Sequence, residues 1–402
     1  LALLSVADAL GRVLAGVYPT EIERASPAAA AGRTLAADLP ALRTQPPFPS
    51  SAMDGYAVRA SDLLPGGLLK VIGEAPAGRA FVGTVASGEA VRIFTGAPVP
   101  DGADTVIIQE TVDVEPDGIR PRNMEAVGRH IRPAGLDFAE GDVLLRAGLR
   151  LAPRAVALAA AMGHAWLPVR RRPKVALLAT GDELVRPGET ARPDQIVASN
   201  IYAVAGQVET AGGEPVDLGI AADDFASLES AIGRAEAMGA DVIVTLGGAS
   251  VGDHDLVRSA LTKRGMELGF WRIAMRPGKP LIFGRLGRTR ILGLPGNPVS
   301  AIVCAQLFLV PLVRALCGDP AAAADPCEPA LLGSAVPAND ERQDYVRVRI
   351  TGRNEHGLPV VVPFARQDSS MLRVFAEADA LLVRPPRAPA GAPGSPVGII
   401  RL

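Results

Sequence analysis

Three short apolar runs, VALLAT (175–180), VIVTL (242–246) and ILGL (291–294), each lead straight into a glycine-bearing loop. The loops read TGDEL (180–184), GGASVGDHD (247–255) and PGNPVS (295–300). Between 173 and 318 such runs alternate with stretches of helical periodicity, at 200–211, 225–238, 256–263 and a long final segment after 298. Short apolar runs alternating with helices predict βαβ units and a mostly parallel, doubly wound sheet. In such a sheet the ligand crevice lies beyond the carboxyl ends of the strands, so the three loops are expected to converge.

The flanking texture differs. Ser5 with Asp8 three residues on, followed by Val6, Leu10, Val13, Leu14 and Val17, predicts a capped amphipathic helix. A second helix is expected over 27–39 and a third over 151–162. From 56 to about 145, short runs separated by Pro-Asp-Gly and Gly-Asp turns predict a compact all-β module. Beyond 318 an alanine- and proline-rich connector leads to further strands at 345–350 and 359–363. A proline-rich tail follows, and its final residues, 397–402, are expected to add an edge strand. No solenoid repeat is present.

At 402 residues the chain is long enough for two to four domains. Apolar residues make up 48% and charged residues 21%, and the net charge of −2 supplies no basic field for nucleic acid. Three cysteines without CxxC spacing and four histidines argue against structural zinc or a disulfide framework, and Cys304 reads as a core residue. No signal-peptide pattern is visible. The longest apolar stretch, 299–313, is interrupted by Gln306 and Pro311, so no membrane span is expected and the cytoplasm is the expected compartment.

The loops carry the candidate chemistry. In PGNPVS, Asn297 suits a helix N-cap and Pro298 the first helical position, and free N–H groups there attract anions. The helix dipole contributes only about 0.3–1 kcal/mol per charge, so further cations are needed. Arg276 and Lys279 on the RPGKP turn could clamp an oxyanion. Glu183 at a strand end, with Asp253 and Asp255 after a glycine-rich loop, could hold Mg²⁺ together with ligand phosphates. The chain holds no GxxxxGK[ST], its GGASVG is only a loose dinucleotide fingerprint, and no Ser-His-Asp set can be assembled, His254 reading as a loop residue. Asp54 in SAMDGYAV (51–58) and Thr95 in RIFTGAPVPDGAD (92–104) sit at turns next to predicted strands.

Taken in order, SAMDGYAV, TGAPVPDGAD with VIIQE, TGDEL, GGASVGDHD, RPGKP and GLPGNPVS resemble the molybdopterin molybdenumtransferase family, related to the E domain of gephyrin. The resemblance implies a multidomain α/β plus β protein. It would have a discontinuous N-terminal domain (1–42 with 138–170), a β-rich module (43–137), an α/β molybdopterin-binding domain (171–319) and a C-terminal β domain (320–402). It implies a homodimer that inserts molybdate into adenylylated molybdopterin, with Mg²⁺-dependent release of AMP. Asp54, Thr95, Asp137, Glu183, Asp223 and Asp255 match catalytic positions, with Asp54, Glu183 and Asp255 as metal ligands. Gly247, Gly248, Ser250, Arg276, Lys279, Pro295, Gly296, Asn297, Pro298, Arg342 and Ser369 match substrate-binding positions. Arg276 stands where the family usually has lysine, Arg272 likewise follows Trp271 in place of lysine, and Ala198-Ser199-Asn200 replaces an Asp-Thr-Asn triplet. Two other readings are an adenylyltransferase acting on molybdopterin and a non-catalytic molybdopterin-binding scaffold.

Overall fold

A computed structural model describes residues 3–248 and 256–402, and Ser250, Asp253, His254 and Asp255 lie outside them. The chain divides into two compact units, one of Leu1–Glu23, Gly32–Ala36 and Pro168–Leu402, the other of Arg24–Ala31 and Ala37–Leu167.

The larger unit is built on a six-stranded sheet in the order Glu214–Ala221, Lys174–Thr180, Val242–Leu246, Thr289–Leu294, Pro280–Leu286, Glu267–Arg272. The first four strands are parallel, and each of the last two pairs antiparallel with the strand before it. Strand alternation explains the double winding. Val175, Leu177, Val242 and Val244 pack with Ile201, Val204, Val208 and Phe308, from helices Asn200–Ala211 and Pro298–Leu316. Ala176, Leu178 and Ile243 point the other way, onto Leu228, Ile232, Val257 and Leu261 of helices Phe225–Ala237 and Leu256–Lys263. With both faces covered, the strands read as unbroken apolar runs, which is why they stood out in the sequence.

Helix Val6–Leu14 starts as expected, the Ser5 hydroxyl accepting from the Asp8 N–H at 3.1 Å, and it buries Ala9 and Val13 in the larger unit's core. The helix expected over 27–39 is a single turn, Pro27–Ala30, and Leu35 beyond it forms a β-bridge with Val169. Pro298–Leu316 is, at 19 residues, long and apolar enough to cross a membrane, a length the interruptions at Gln306 and Pro311 had seemed to deny it. Its backbone accommodates Pro311 by widening to a π-turn at Ala305–Leu309, and 72% of it is buried inside the protein.

The C-terminal strands Glu328–Leu332, Gln343–Arg353, Pro359–Pro363, Ala380–Arg384 and Pro396–Arg401 close into a five-stranded barrel. Pro396–Arg401 is therefore not an edge strand. It pairs with Glu328–Leu332 on one side and Ala380–Arg384 on the other, because closure removes both edges. The two-residue strand Met275–Arg276 adds to the barrel alongside Gln343 and Asp344, joining it to the α/β sheet.

In the smaller unit a four-stranded sheet runs Lys70–Ala75, Glu89–Ile93, Gly55–Val58, Thr105–Ile108. One face buries Ala57, Val91 and Val106, and the other buries Tyr56, Ala90 and Ile107.

Candidate functional site

Because the four parallel strands run the same way, the loops after Thr180, Ala221, Leu246 and Leu294 meet at one end of the sheet. There they enclose a cleft of about 640 Å³ lined by Thr180, Gly181, Glu183, Asp223, Gly247 and Gly248, and by Pro295 to Pro298. Two glycines suit the geometry. Gly181 has φ +145°, which side chains rarely adopt, and a Cβ there would lie 2.4 Å from Glu183 Oε2, so a larger residue would strain the backbone and push the flexible carboxylate aside. Gly247 has φ +103°, and its Cβ would strike the Thr180 carbonyl at 2.6 Å. The loops are also tied to one another: Asp182 Oδ1 accepts from the Asp223 N–H at 3.1 Å, and the Asn200 amide donates to the Gly296 carbonyl at 2.7 Å.

The cleft's polar groups face outward for a ligand. Glu183 and Asp223 are exposed and make no ion pair among the described residues. The Thr180 hydroxyl is buried on the cleft wall without a partner among the described residues. No group of three metal-ligating side chains forms among the described residues. A divalent cation held here would take one or two carboxylates and complete its shell from phosphate and water. That is the habit of Mg²⁺, so the donor set fits it.

A second cleft, of about 760 Å³, adjoins the first through Pro280 and Asn297, which line both. Its walls carry Arg276, Lys279 and Ser300 from the α/β domain, and Arg342, Arg347 and Ser369 from the barrel and its connections. Asn297 does occupy the N-cap position, but its side chain makes no capping bond. Its amide donates instead to Ser369 Oγ at 3.1 Å, and the Val299 N–H donates to the Ser369 carbonyl at 3.1 Å. One of the helix N–H groups expected to meet an anion is thus already engaged by the barrel side.

The cations differ in their freedom. Arg276 donates to Asp344 at 2.5 Å and lies 3.5 Å from Asp340, and Asp344 raises its pKa. Arg342 donates to Asp340 at 2.6 Å, and Arg342 holds that carboxyl down at about 2. Lys279 is exposed and makes no ion pair among the described residues. Arg347 is 1% exposed; among the described residues its Nη2 donates to a main-chain carbonyl, that of Asp368 at 3.1 Å, and its buried Nε has no partner. Burial pushes the Arg347 pKa down, with Asp344 and Asp368 opposing. A buried guanidinium without a paired carboxylate on a cleft wall is a strong anion donor. The sequence reading named Arg342 and passed over Arg347. The available signals were the inward strand alternation Gln343, Tyr345, Arg347, and Asp340 two residues before Arg342. Ser300 and Thr180 were likewise read only as parts of their loops. Arg272 stacks on the Trp271 ring at 4.2 Å.

Both clefts are lined by the larger unit alone. Asp54, Thr95 and Asp137 belong to the other unit. There Gly55 pairs with Ile93, which brings the turns on either side together. Asp54 Oδ1 accepts from the Thr95 N–H at 2.7 Å and from its hydroxyl at 2.8 Å, and these bonds hold the Asp54 carboxyl below the usual range. Asp137 is exposed, and its N–H donates to the Gln45 carbonyl at 3.0 Å.

Comparison with known proteins gives three matches to family models: the MoeA N-terminal region (domains I and II) over residues 4–163, a probable molybdopterin binding domain over 176–315, and the MoeA C-terminal region (domain IV) over 329–402. A molybdopterin molybdenumtransferase of Haemophilus influenzae is 41% identical over 303 residues, 75% of this chain and 74% of that one. Molybdopterin molybdenumtransferase 2 of Mycobacterium tuberculosis is 37% identical over 366 residues, 88% of each. Among solved structures, the molybdopterin biosynthesis MoeA protein of Pyrococcus horikoshii superposes with a TM-score of 0.81 at 31% identity, covering 100% of this chain and 99% of that one.

Proposed function

The chain belongs to the molybdopterin molybdenumtransferase family, transferases of molybdenum cofactor biosynthesis, and from that premise we propose how its two clefts divide the reaction. The first takes adenylylated molybdopterin and the second takes molybdate. The observation that carries this reading is the shared wall: Asn297 and Pro280 line a cleft with free carboxylates and glycine N–H groups, and also a cleft with unpaired cations.

In this reading the Gly248 N–H and the Thr180 hydroxyl hold the phosphates, the Gly247 N–H being bonded to the Leu294 carbonyl, while the loop from Pro295 to Pro298, braced by Asn200, shapes the pterin side. Glu183 and Asp223 would hold Mg²⁺, which supplies charge against the departing AMP phosphate. Lys279, Arg347 and Ser369 hold the tetrahedral dianion, and Asn297 fixes Ser369 at the boundary between the clefts. Asp54, Thr95, Asp137 and Asp255, and Ser250 in the glycine loop, enter by family resemblance alone. A cytoplasmic homodimer is the accompanying proposal, supported by the same resemblance.

The test is AMP release from adenylylated molybdopterin with Mg²⁺, with and without molybdate. Release that depends on the oxyanion is expected. Release of pyrophosphate from ATP would instead mark an adenylyltransferase, and tight binding without turnover would mark a scaffold.

A further inference from the structure

The second cleft contains more cations than a dianion needs, and its acidic residues divide them unequally. Asp344 takes Arg276, at 2.5 Å, and its side chain is only 15% exposed. Asp340 lies between Arg276, at 3.5 Å, and Arg342, at 2.6 Å. The pairing is reinforced by main chain, since Met275 and Arg276 lie in parallel register with Gln343 and Asp344, and the Gln343 N–H donates to the Ala274 carbonyl at 2.9 Å. Three residues on, Lys279 carries no ion pair among the described residues, and Arg347 lines the same cleft with a buried unpartnered Nε.

We propose that Arg276 is a positioning residue, latched to Asp344 and Asp340, and that these two carboxylates set the cleft's specificity by leaving the cations without a carboxylate partner among the described residues, Lys279, Arg347 and the main-chain-held Arg384, to meet a dianion. Arginine rather than lysine at 276 suits this role. Its planar fork can address two carboxylates at once, which a compact ammonium cannot do in a fixed geometry. The latch also ties the turn carrying Lys279 to the strand carrying Arg347, so the pair that cancels charge also fixes the spacing of the cations that remain. The inference rests on reading the second cleft as the oxyanion pocket.

A double-mutant cycle on the full chain separates a latch from a direct ligand. Binding of molybdate, tungstate and sulfate is measured by calorimetry for the wild type, Arg276→Gln, Asp344→Asn and the double variant, with melting temperatures alongside. A latch predicts that Arg276→Gln weakens all three roughly three- to tenfold by baring Asp344, the size of effect expected of one charge in a half-solvated cleft. It predicts that Asp344→Asn tightens them by a similar factor and narrows the difference between sulfate and molybdate, because a further cation is freed. The double variant then returns to within about twofold of wild type. A double variant as weak as Arg276→Gln would overturn the proposal, since it would mean that Arg276 touches the anion itself. Arg276→Lys guards against misfolding, since restored charge keeps the fold. Lys279→Gln and Arg347→Gln test the underlying reading separately. If neither weakens binding, the cleft is not the oxyanion pocket, whatever the cycle shows.

Discussion

Replacing Arg347 by methionine should move stability and binding in different directions. The side chain is 1% exposed, its Nη2 donates to a main-chain carbonyl, and its Nε has no partner among the described residues. A buried unsatisfied donor costs about 1–3 kcal/mol, whereas one bond to a neutral carbonyl contributes about 0.5–1.5 kcal/mol. Methionine matches the length of the stem, fills the wall and removes both terms. Folding stability should therefore hold or rise by about 1 kcal/mol, as when buried charges are exchanged for apolar residues of similar volume. Oxyanion binding should fall, because a charge-assisted bond is worth about 1.5–3 kcal/mol, or roughly 10- to 150-fold in Kd. Calorimetric titration with molybdate and a thermal melt on the same sample read both. Unchanged affinity would refute the assignment of Arg347 to the anion. A large drop in melting temperature would show that the guanidinium is chiefly structural.

Three further outcomes can be checked. Glu183→Gln should keep the fold but weaken Mg²⁺ binding, followed by titration, about 10- to 100-fold, with loss of AMP release; Mg²⁺ binding at wild-type strength would remove Glu183 from the metal site. Gly181→Ala should cost about 1–3 kcal/mol from the forced φ and displace the Glu183 carboxylate, lowering AMP release at saturating substrate. For Asp54 the folded pKa is depressed, so its contribution to stability is present above the ordinary value of 3.8 and is lost as pH falls through the lower folded value. Thr95→Val keeps the main-chain bond, which is the larger cause, and removes the hydroxyl bond, so carboxyl chemical shifts should show a partial return toward 3.8.

Much of this was legible in the sequence where one local signal determined the outcome. The runs at 175–180 and 242–246 are apolar throughout because both faces are covered, and the glycine loops after them mark the cleft. Ser5 announced its helix by hydrogen-bond chemistry alone. What stayed hidden depended on partners distant in sequence. Asn297 was readable as a cap, but nothing local says that its amide turns to Ser369, 72 residues away. Arg342 has its partner Asp340 two residues away, whereas Arg347 is buried only by the barrel's closure, which no local signal announces. The final strand looked like an edge for the same reason, since closure is a property of the whole sheet.

That closure also imposes an order in time. The strands and loops of the first cleft, together with Lys279 and Ser300, all lie at or before residue 300, so they leave the ribosome well ahead of the last barrel strand, and domains tend to fold as units in the order of synthesis. The barrel cannot close until Pro396–Arg401 emerges to fill the gap between Glu328–Leu332 and Ala380–Arg384. Arg347 and Ser369 can take their final places only then. A growing chain therefore forms a compartment for the organic substrate well before it completes one for the inorganic anion. A ribosome stalled near residue 390 would display a chain that captures the first and ignores the second.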